Sequence, residues 1–254
     1  MTSPNAATQE GLRIGMELGN DSFKEVLAGL DSLDSELSEF LTEAMGRIFG
    51  RSQLSLADRE VCIVAALAVQ GHLPQMKWHL NAALNIGVPL DTLREVLIQT
   101  IPYAGWPVGL TSLGVLKEVA LSRDLTLDSE PTPMDPETRY AEGVKNGKAI
   151  YPNFEAALQG LRSFDPALPD LIIESSFGSI YGRPNLDMRR REMIAVAMLA
   201  ALQRLPQLQS HLIGAHCVGC THEETKEILV TLIAYAGWPV ALNALAIWKQ
   251  VTTA

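Results

Sequence analysis

Apolar residues recur at helix-like intervals along most of the chain. Alanine and leucine dominate these segments, for example from Val61 to Val69 and from Met193 to Leu202, and no stretch shows a sustained alternation of apolar and polar residues. A helix needs apolar positions three and four residues apart, whereas a half-buried strand needs alternation. Because alanine and leucine favour helix, and because aromatic residues make up only 6% of the 254 positions, the pattern predicts an all-α fold.

Capping and turn residues indicate where individual helices begin and end. Ser55–Asp58 and Thr221–Glu224 have the spacing of a capping box, which satisfies the free amides of a first helical turn. Pro74 suits the first turn of the next helix, and Gly87 suits the end of that helix. Gly237–Pro239 interrupts an apolar stretch, since proline inside a helix removes a hydrogen bond. We therefore expect pairs of helices joined by short turns.

One six-residue motif occurs twice. Tyr103–Val108 and Tyr235–Val240 are both Tyr-Ala-Gly-Trp-Pro-Val, 132 positions apart. The same shift, without a gap, superposes four other pairs of segments: Phe49–Arg51 on Tyr181–Arg183, Arg59–Glu60 on Arg191–Glu192, Leu73–Gln75 on Leu205–Gln207, and His79–Leu80 on His211–Leu212. Self-similarity over this length indicates duplication. We predict two tandem helical repeats packed with pseudo-twofold symmetry.

The segment between the two copies is rich in proline and acidic residues and lacks apolar periodicity. Such a composition is typical of a linker. The sequence thus predicts a first repeat over residues 1–125, a linker over 126–138 and a second repeat over 139–254. Toward the start of each repeat the match weakens, and Gly29–Leu30 aligns with Gly160–Leu161 after a slip of one residue.

Charge and composition narrow the partners and the compartment. The net charge of −9 disfavours nucleic acid, because a phosphate backbone binds basic surfaces. Residues 228–248 are uncharged and long enough to cross a bilayer, but their Gly-Trp-Pro break favours two buried helices over a membrane span. Three cysteines are too few for a disulfide framework, and the polar N-terminus lacks the pattern of a secretory signal. We expect a cytoplasmic protein.

Each copy places a glutamate near the start of one apolar helix and a histidine in the next. These residues are Glu60 and His79 in the first copy, and Glu192 and His211 in the second. A buried carboxylate and imidazole are costly unless they pair, and a pair makes a proton-transfer couple. Alternatively, each carboxylate favours the helix dipole and each histidine packs in the core. The residues alone leave both interpretations open.

Helix geometry does not decide whether the glutamate and the histidine touch. At about 1.5 Å per residue, Glu60 lies about 16 Å before the turn at Gly71, and His79 lies about 8 Å beyond Pro74. In a simple antiparallel hairpin the two side chains would be offset by about 8 Å along the axis. A strong tilt, an intervening water or a partner from elsewhere in the fold would each resolve the offset.

Two arginines and four aromatic residues are further candidates for substrate contact: Arg51, Arg183, Tyr103, Tyr235, Trp106 and Trp238. The arginines could bind a substrate carboxylate or remain solvated loop charges. The aromatic residues surround the Gly-Trp-Pro turns, where they could form a pocket wall or simply pack the corner between two helices. The sequence does not separate these roles.

A cluster of cysteine and histidine follows the second candidate histidine. His216–His222 contains Cys217 and Cys220 as a Cys-x-x-Cys flanked by histidines, which suits a redox pair or a zinc site. The equivalent positions in the first copy are Asn85 and Val88, and no second cysteine cluster completes a four-ligand set. We therefore favour small residues in a turn and predict no metal site.

Together these motifs resemble the carboxymuconolactone decarboxylase family, including its alkylhydroperoxidase D-like branch. The motifs that carry the resemblance lie in both copies: Arg59–Glu60, Leu73–His79, Ala82–Val88 and Tyr103–Pro107, then Arg183–Asp187, Arg191–Glu192, Leu205–Pro206, His211 and Tyr235–Pro239. The resemblance implies an all-helical fold that assembles as rings of six repeats. A chain with two repeats is then expected to form a homotrimer.

The resemblance also distinguishes between two activities. In the peroxidase branch a glutamate, a Cys-x-x-Cys and a histidine form a relay, and the two Glu–His pairs match the first and last of these groups. Other residues occupy the cysteine positions of that branch: His72 and Gln75, then Arg204 and Gln207. Because Cys217 and Cys220 lie too far along the chain to replace that pair, thiol peroxidase activity is not expected.

What remains resembles the decarboxylase branch, which implies release of carbon dioxide from a small unsaturated lactone or keto acid without a metal or organic cofactor. Such a site needs donors for the developing oxygen charge and an acid that protonates carbon. A histidine would donate the proton, its glutamate would orient it, and an arginine would hold the carboxylate. The copies differ beside the histidine, where Trp78 corresponds to Ser210, which leaves open whether one or both sites are active.

Two other functions stay open at this point. One is a redox protein that uses Cys217 and Cys220. The other is a non-catalytic, oligomeric binding module in which the histidines only pack.

Overall fold

The computed structural model describes residues 4–127 and 134–253. In these ranges the chain forms fifteen α-helices and one π-helix and no β-strand, so the all-α prediction is confirmed. The first repeat contains eight α-helices: α1 (Pro4–Gly19), α2 (Asp21–Leu33), α3 (Leu37–Phe49), α4 (Leu56–Gln70), α5 (Leu73–Asn85), α6 (Leu90–Ile98), α7 (Ile101–Ala104) and α8 (Trp106–Ser122). The second contains seven α-helices and the π-helix, π1: α9 (Pro136–Ile150), α10 (Phe154–Arg162), α11 (Leu168–Ile172), π1 (Ile173–Gly178), α12 (Met188–Ala201), α13 (Leu205–Cys217), α14 (His222–Ala236) and α15 (Trp238–Thr253).

The helices of the two repeats correspond at the positions that the sequence shift requires. Helices α4, α5 and α8 match α12, α13 and α15, and α14 is continuous where the first repeat divides into α6 and α7. Part of the predicted linker, residues 128–133, lies outside the described residues. The last three residues of the predicted linker, 136–138, form the first turn of α9. Asp135 caps this helix by accepting a hydrogen bond from the backbone amide of Thr138.

The predicted capping residues hold the helix ends. Ser55 accepts a hydrogen bond from the backbone amide of Asp58 at the start of α4. At the start of α14, Thr221 and Glu224 form the reciprocal capping box that the sequence predicted. Helix α4 ends at Gly71, whose φ of 76° is a left-handed conformation that favours glycine. Local sequence therefore determines where α4 begins and ends and where α14 begins.

The two repeats share one hydrophobic core. Helices α4 and α12 pack against each other and are buried along most of their length. One apolar cluster contains residues of both helices and extends through both repeats. Since each buried valine or leucine stabilises the fold by roughly 1.5–3 kcal/mol, the contact between α4 and α12 joins the repeats into one packed body.

A buried ion cluster also joins the repeats. Arg51 and Arg59 of the first repeat donate hydrogen bonds to the carboxylate of Glu227 in α14, at 2.6 and 2.9 Å. Arg59 and Glu227 are fully buried. Burial raises the pKa of Glu227, but the two arginines outweigh burial and hold that pKa below its usual value. The carboxylate is therefore charged and compensated inside the fold.

In an equivalent ion cluster, the second repeat supplies the arginines and the first repeat supplies the glutamate. Arg183 of the second repeat donates a hydrogen bond to Glu95 of the first at 2.7 Å, and the buried Arg191 lies 3.5 Å from the same carboxylate. Arg191 also donates to the side chain of Gln99 at 3.1 Å. Each repeat thus supplies two arginines to a glutamate of the other, which is the reciprocity that pseudo-twofold packing requires.

The two Gly-Trp-Pro segments are helix corners. Gly105 and Gly237 have φ values of 88° and 84°, outside the helical region, and each is followed by a helix with proline in its first turn. The apolar stretch over residues 228–248 accordingly divides into α14 and α15. Within the described ranges, no helix combines the length and apolar character needed to span a membrane.

Candidate active site

Each repeat contains a buried glutamate and histidine in direct contact. Glu60 near the start of α4 and His79 in α5 approach to 2.8 Å between Oε2 and Nδ1. Glu192 in α12 and His211 in α13 have the same atoms at the same distance. The axial offset expected for a simple antiparallel hairpin therefore does not keep the glutamate and the histidine apart. In both repeats the two side chains are in direct contact. The structure therefore brings the four residues predicted as proton-transfer couples together as two separate pairs, one in each repeat.

The carboxylate orients each imidazole ring. A carboxylate accepts a hydrogen bond from Nδ1–H, and the neutral ring then carries its lone pair on Nε2. The Nε2 atoms of His79 and His211 are thus the positions that remain for another side chain or a ligand. Both histidines line cavities. The pair can present either a base or, when protonated, an acid to a molecule in the cavity.

A tyrosine from the opposite repeat completes each site. The ring of Tyr235 lies 5.0 Å from that of His79, centroid to centroid. The ring of Tyr103 lies 5.5 Å from that of His211, with 3.5 Å between its hydroxyl and Nε2. Both tyrosines belong to the duplicated Tyr-Ala-Gly-Trp-Pro-Val motif. The motif therefore reaches the histidine of the other copy, a crossing that the sequence did not predict.

The His211 site contains a network of tyrosine hydroxyls. Tyr151 donates a hydrogen bond to Nε2 of His211 at 2.9 Å. Tyr181 donates to Oε1 of Glu192 at 3.0 Å, and its hydroxyl lies 2.5 Å from that of Tyr103. Since the Tyr181 proton goes to Glu192, its oxygen accepts from Tyr103. Both carboxylate oxygens of Glu192 and both ring nitrogens of His211 are thereby hydrogen-bonded.

These hydroxyls stay protonated at neutral pH. Burial raises the pKa of Tyr103, Tyr151 and Tyr181, and the nearby charge of Glu192 raises each further. A phenol with a raised pKa holds its proton and acts as a hydrogen-bond donor. The His211 site therefore offers neutral O–H donors next to an imidazole.

The His79 site lacks this network. Phe49 occupies the position of Tyr181, and Oε1 of the fully buried Glu60 has no hydrogen-bond partner. Among the described residues, Nε2 of His79 also has none. Trp78 packs edge-on against the His79 ring with 4.9 Å between the ring centroids. The same Glu–His pair is thus placed in an apolar and aromatic environment.

Each histidine faces a cavity of similar size. The His211 cavity has a volume of about 390 Å³ and is lined by Pro102, Tyr103, Tyr151, Ile172, Ser176, Phe177, Tyr181, Leu199, Arg204, Gln207 and His211. The His79 cavity has a volume of about 350 Å³ and is lined by Phe23, Val26, Leu41, Met45, Pro74, Gln75, Trp78, His79 and Tyr235. Volumes in this range suit a small molecule.

A cation distinguishes the two cavities. Arg204 directly precedes α13 and lines the His211 cavity. The residue is exposed, and its side chain has no hydrogen bond or ion pair with any described residue. The equivalent position before α5 is His72, which does not line the His79 cavity. A free guanidinium in a cavity binds carboxylates through paired hydrogen bonds. The His211 cavity therefore has the group expected for an acidic ligand, on a residue that was not predicted for this role.

The predicted arginines have other contacts. Arg51 and Arg183 form the cross-repeat ion pairs with Glu227 and Glu95, and neither lines a histidine cavity. The side chain of Arg51 is 43% exposed and that of Arg183 is 23% exposed. The structure therefore does not bring these two arginines together with the histidines.

The two tryptophans of the repeated motif also lie apart from the cavities. Trp106 is 64% exposed and Trp238 is 62% exposed, and neither lines a histidine cavity. Of the four aromatic candidates, the structure brings only the tyrosines to the Glu–His pairs.

The structure gives little support to a redox or metal site at the cysteine–histidine cluster of residues 216–222. Cys217 is exposed and Cys220 is buried, and both are free thiols. Burial raises the pKa of Cys220 to about 12, which disfavours the reactive thiolate. His216 and His222 contact each other at 3.0 Å between ring nitrogens. In the part of the chain that the structure describes, no three His, Cys, Asp or Glu side chains are grouped so that they could hold a metal ion.

Three functional candidates escaped the sequence analysis: Tyr151, Tyr181 and Arg204. Two of them had a signal, because Tyr181 replaces Phe49 and Arg204 replaces His72 between otherwise matching copies. Differences between duplicated segments mark places where the two sites diverge. Tyr151 had no such signal, because it lies in the part of the repeat where the copies no longer align without a slip.

Comparisons with known proteins agree with this fold. The model of the carboxymuconolactone decarboxylase family matches residues 35–118 and 166–250, one match in each repeat. The chain is 28% identical over 120 residues to 4-carboxymuconolactone decarboxylase of Acinetobacter baylyi, covering 46% of this chain and 90% of that protein. It is 26% identical over 113 residues to nitrosuccinic acid decarboxylase of Metarhizium robertsii, covering 44% and 79%.

A solved structure matches the whole chain. It is assigned as a gamma-carboxymuconolactone decarboxylase subunit from Burkholderia xenovorans, with a TM-score of 0.59 and 22% identity, and it covers 99% of this chain and 98% of that one. At 22% sequence identity, this similarity is evidence about the fold alone. The overall fold of this chain is therefore similar to that of a solved structure over nearly the full length of both chains.

Proposed function

Because the chain belongs to the carboxymuconolactone decarboxylase family, we propose that it decarboxylates a small acid in the His211 cavity, with no reaction in the His79 cavity. Both named relatives are decarboxylases. The observation that carries the proposal is the unpaired Arg204 in the same cavity as the Glu192–His211 pair. Arg204 supplies a site for a carboxylate, and the pair supplies a proton.

In the proposed reaction the residues of the cavity have separate roles. Arg204 binds a carboxylate of the substrate. The bond from the substrate carbon to its departing carboxylate breaks, carbon dioxide leaves, and the electron pair spreads onto the oxygens of an adjacent carbonyl or nitro group. The hydroxyl of Tyr103, after rotation of its O–H bond, donates a hydrogen bond to that developing charge. Neutral, buried donors stabilise such charge better than water does.

Protonation of the carbon completes the reaction. Protonated His211 releases its Nε2 proton to the oxygen of Tyr151, which passes its own proton to the carbon. Glu192 stabilises the imidazolium and fixes its orientation, and Tyr181 holds the second oxygen of Glu192. His211 then takes one proton from solvent, so each turnover consumes one proton and releases one carbon dioxide.

The two relatives indicate a substrate class. One acts on a carboxymuconolactone and the other on nitrosuccinic acid, and both names describe acids with an electron-withdrawing carbonyl or nitro group. We propose the same class here: a small acid, lactone or nitro compound in which such a group lies next to the departing carboxylate.

A substrate screen tests this function. Purified protein would be incubated with carboxymuconolactone, nitrosuccinate and a set of β-keto acids, and carbon dioxide would be measured. We expect turnover of at least one compound, and its loss in His211→Asn. Absence of turnover across the whole class, or full turnover by His211→Asn, would contradict the proposal.

We also propose that copies of the chain associate as a homotrimer. Large apolar residues are exposed at corresponding positions of both repeats: Leu33 and Phe164, Phe40 and Leu171, Trp106 and Trp238, Leu110 and Leu242. Exposed apolar surface that recurs with the repeat suits a symmetric self-association. Sedimentation equilibrium would test it, with a mass of three chains expected, and a monomer at micromolar concentration would contradict it.

A further inference from the structure

We propose that the His79 cavity is a second ligand site, which binds an uncharged phenol through its hydroxyl group. This site is separate from the His211 cavity, and the proposal does not depend on the decarboxylation proposed there. Three features of the structure carry it: an unpartnered imidazole nitrogen, the absence of a cation among the lining residues, and apolar walls.

The first feature is the free nitrogen of His79. The residue is 6% exposed, lines the cavity, and uses Nδ1 for its hydrogen bond to Glu60. Its Nε2 has no partner among the described residues, whereas Nε2 of His211 accepts a hydrogen bond from Tyr151. Because His79 lines the cavity, this nitrogen is accessible to a ligand. A ligand hydroxyl that donates to Nε2 of His79 would supply the hydrogen bond that Tyr151 supplies in the other repeat.

The second feature is charge. Among the residues that the structure describes, no lysine or arginine lines this cavity. The nearby carboxylate of Glu60 is fully buried and is hydrogen-bonded through one oxygen only. Burial and the charge of Glu60 raise the pKa of Tyr235, so this wall stays neutral as well. An anionic ligand would lose its hydration without gaining a lysine or arginine as counter-ion, which favours uncharged molecules at this site.

The third feature is the shape and character of the walls. Phe23, Met45, Leu41 and Val26 form an apolar surface, and Trp78 and Tyr235 flank the imidazole. Aromatic side chains at these positions favour an aromatic ring, which they contact by edge and face. A single-ring phenol places its ring among these residues and its hydroxyl on His79, and the cavity of about 350 Å³ accommodates it.

Calorimetric titration with three matched probes tests the proposal. They are p-cresol, which has the ring and the hydroxyl, toluene, which has only the ring, and 4-methylbenzoate, which is an anion. We expect one p-cresol per chain, with toluene about tenfold weaker because one hydrogen bond is lost, and no binding of 4-methylbenzoate at this site. The titration with 4-methylbenzoate is repeated on Arg204→Gln, because this variant lacks the cation of the other cavity. If Arg204→Gln binds 4-methylbenzoate as tightly as p-cresol, the proposal is wrong.

Matched variants locate the binding. Met45→Trp fills the His79 cavity and should abolish p-cresol binding, whereas Ser176→Trp fills the His211 cavity and should leave it unchanged. His79→Asn keeps a hydrogen-bond donor for Glu60 but removes the Nε2 acceptor, so it should weaken p-cresol about tenfold and leave toluene unaffected. If p-cresol binds Met45→Trp normally, or if His79→Asn weakens both probes equally, the site is not the one proposed. Circular dichroism of each variant checks that it is folded.

Discussion

The two glutamate–histidine pairs have the same geometry but different surroundings. Both carboxylates meet Nδ1 of their histidine at 2.8 Å. Around His211 the remaining polar atoms are engaged by tyrosine hydroxyls and an arginine lines the cavity, whereas around His79 those atoms have no partners and the cavity is apolar. Helix packing thus places the pair, and the lining of each cavity determines what the pair can do.

Unlike the two cavities, the two cross-repeat ion clusters are alike. Glu227 and Glu95 each receive two arginines from the opposite repeat, so this part of the duplicated fold has stayed symmetric. The ion clusters have therefore kept the same pairing in both repeats, whereas the cavities differ.

Removing a cluster glutamate should have the largest effect. Glu227→Ala leaves the fully buried Arg59 without its counter-ion, which we expect to lower the free energy of unfolding by about 3–5 kcal/mol. Glu95→Ala should cause a loss of similar size, because Arg191 is equally buried. Urea denaturation followed by circular dichroism measures both. A large loss for one variant and none for the other would show that the clusters are not equivalent.

Substitution of the histidines should separate the sites. His211→Asn retains a donor to Glu192 but cannot supply a proton, so we expect carbon dioxide release to fall about 100-fold or more. His79→Asn should reduce it less than about twofold, because the described lining of its cavity has no arginine to bind the carboxylate of the substrate. Initial rates on the substrate found in the screen decide between the sites, and equal losses would mean that both are active.

Arg204 should act on substrate binding. Arg204→Gln removes the unpaired guanidinium, and we expect KM to rise about tenfold to 100-fold with little change in kcat, since charged hydrogen bonds contribute about 1.5–3 kcal/mol. Arg47→Gln, which removes an exposed arginine of an ion pair within α3, serves as the control. A fall in kcat without a change in KM would place Arg204 in the chemical step instead.

Exchanging the residues beside the two carboxylates should produce opposite changes. Tyr181→Phe removes the donor to Glu192 and should lower stability by about 1 kcal/mol. Phe49→Tyr offers a donor to the unpartnered oxygen of Glu60 and should raise stability by up to about 1 kcal/mol. Thermal unfolding of both variants measures the pair, and a change of the same sign in each would contradict the comparison.

The smallest expected effect is a dependence of stability on pH. The pKa of Glu227 in the folded protein lies below its ordinary value of 4.5. Its stabilising contribution is therefore fully present above pH 4.5 and is lost as the pH falls through the folded pKa. The wild type should lose more stability between pH 6 and pH 3 than Glu227→Gln does. Equal losses in urea titrations would exclude this carboxylate as the cause.

Much of the fold was predictable because its signals are local. Ser55, Thr221 and Gly71 hold the helix ends at which the sequence placed them, since caps depend on a few neighbouring residues. The duplication was evident from Tyr103–Val108 and Tyr235–Val240. The pairing of Glu60 with His79 was a candidate on residue type alone, although spacing left their contact undecided.

The rest depends on contacts between residues far apart in the chain. Nothing in the sequence shows that Tyr103 lies beside His211 rather than His79, or that Arg51 is used by Glu227. Such contacts arise when two repeats pack across α4 and α12, which local patterns do not describe.

The helical fold, the duplication and the presence of a glutamate and a histidine in each copy can all be inferred from the order of the residues. Only the packing of the repeats brings these residues into contact, gives each site a tyrosine from the other repeat, and places the exposed Arg204 at one of the two cavities. The physical reason is range: helix formation and capping act within about one turn of the chain, whereas a site depends on side chains that only packing of the whole fold brings within hydrogen-bond distance.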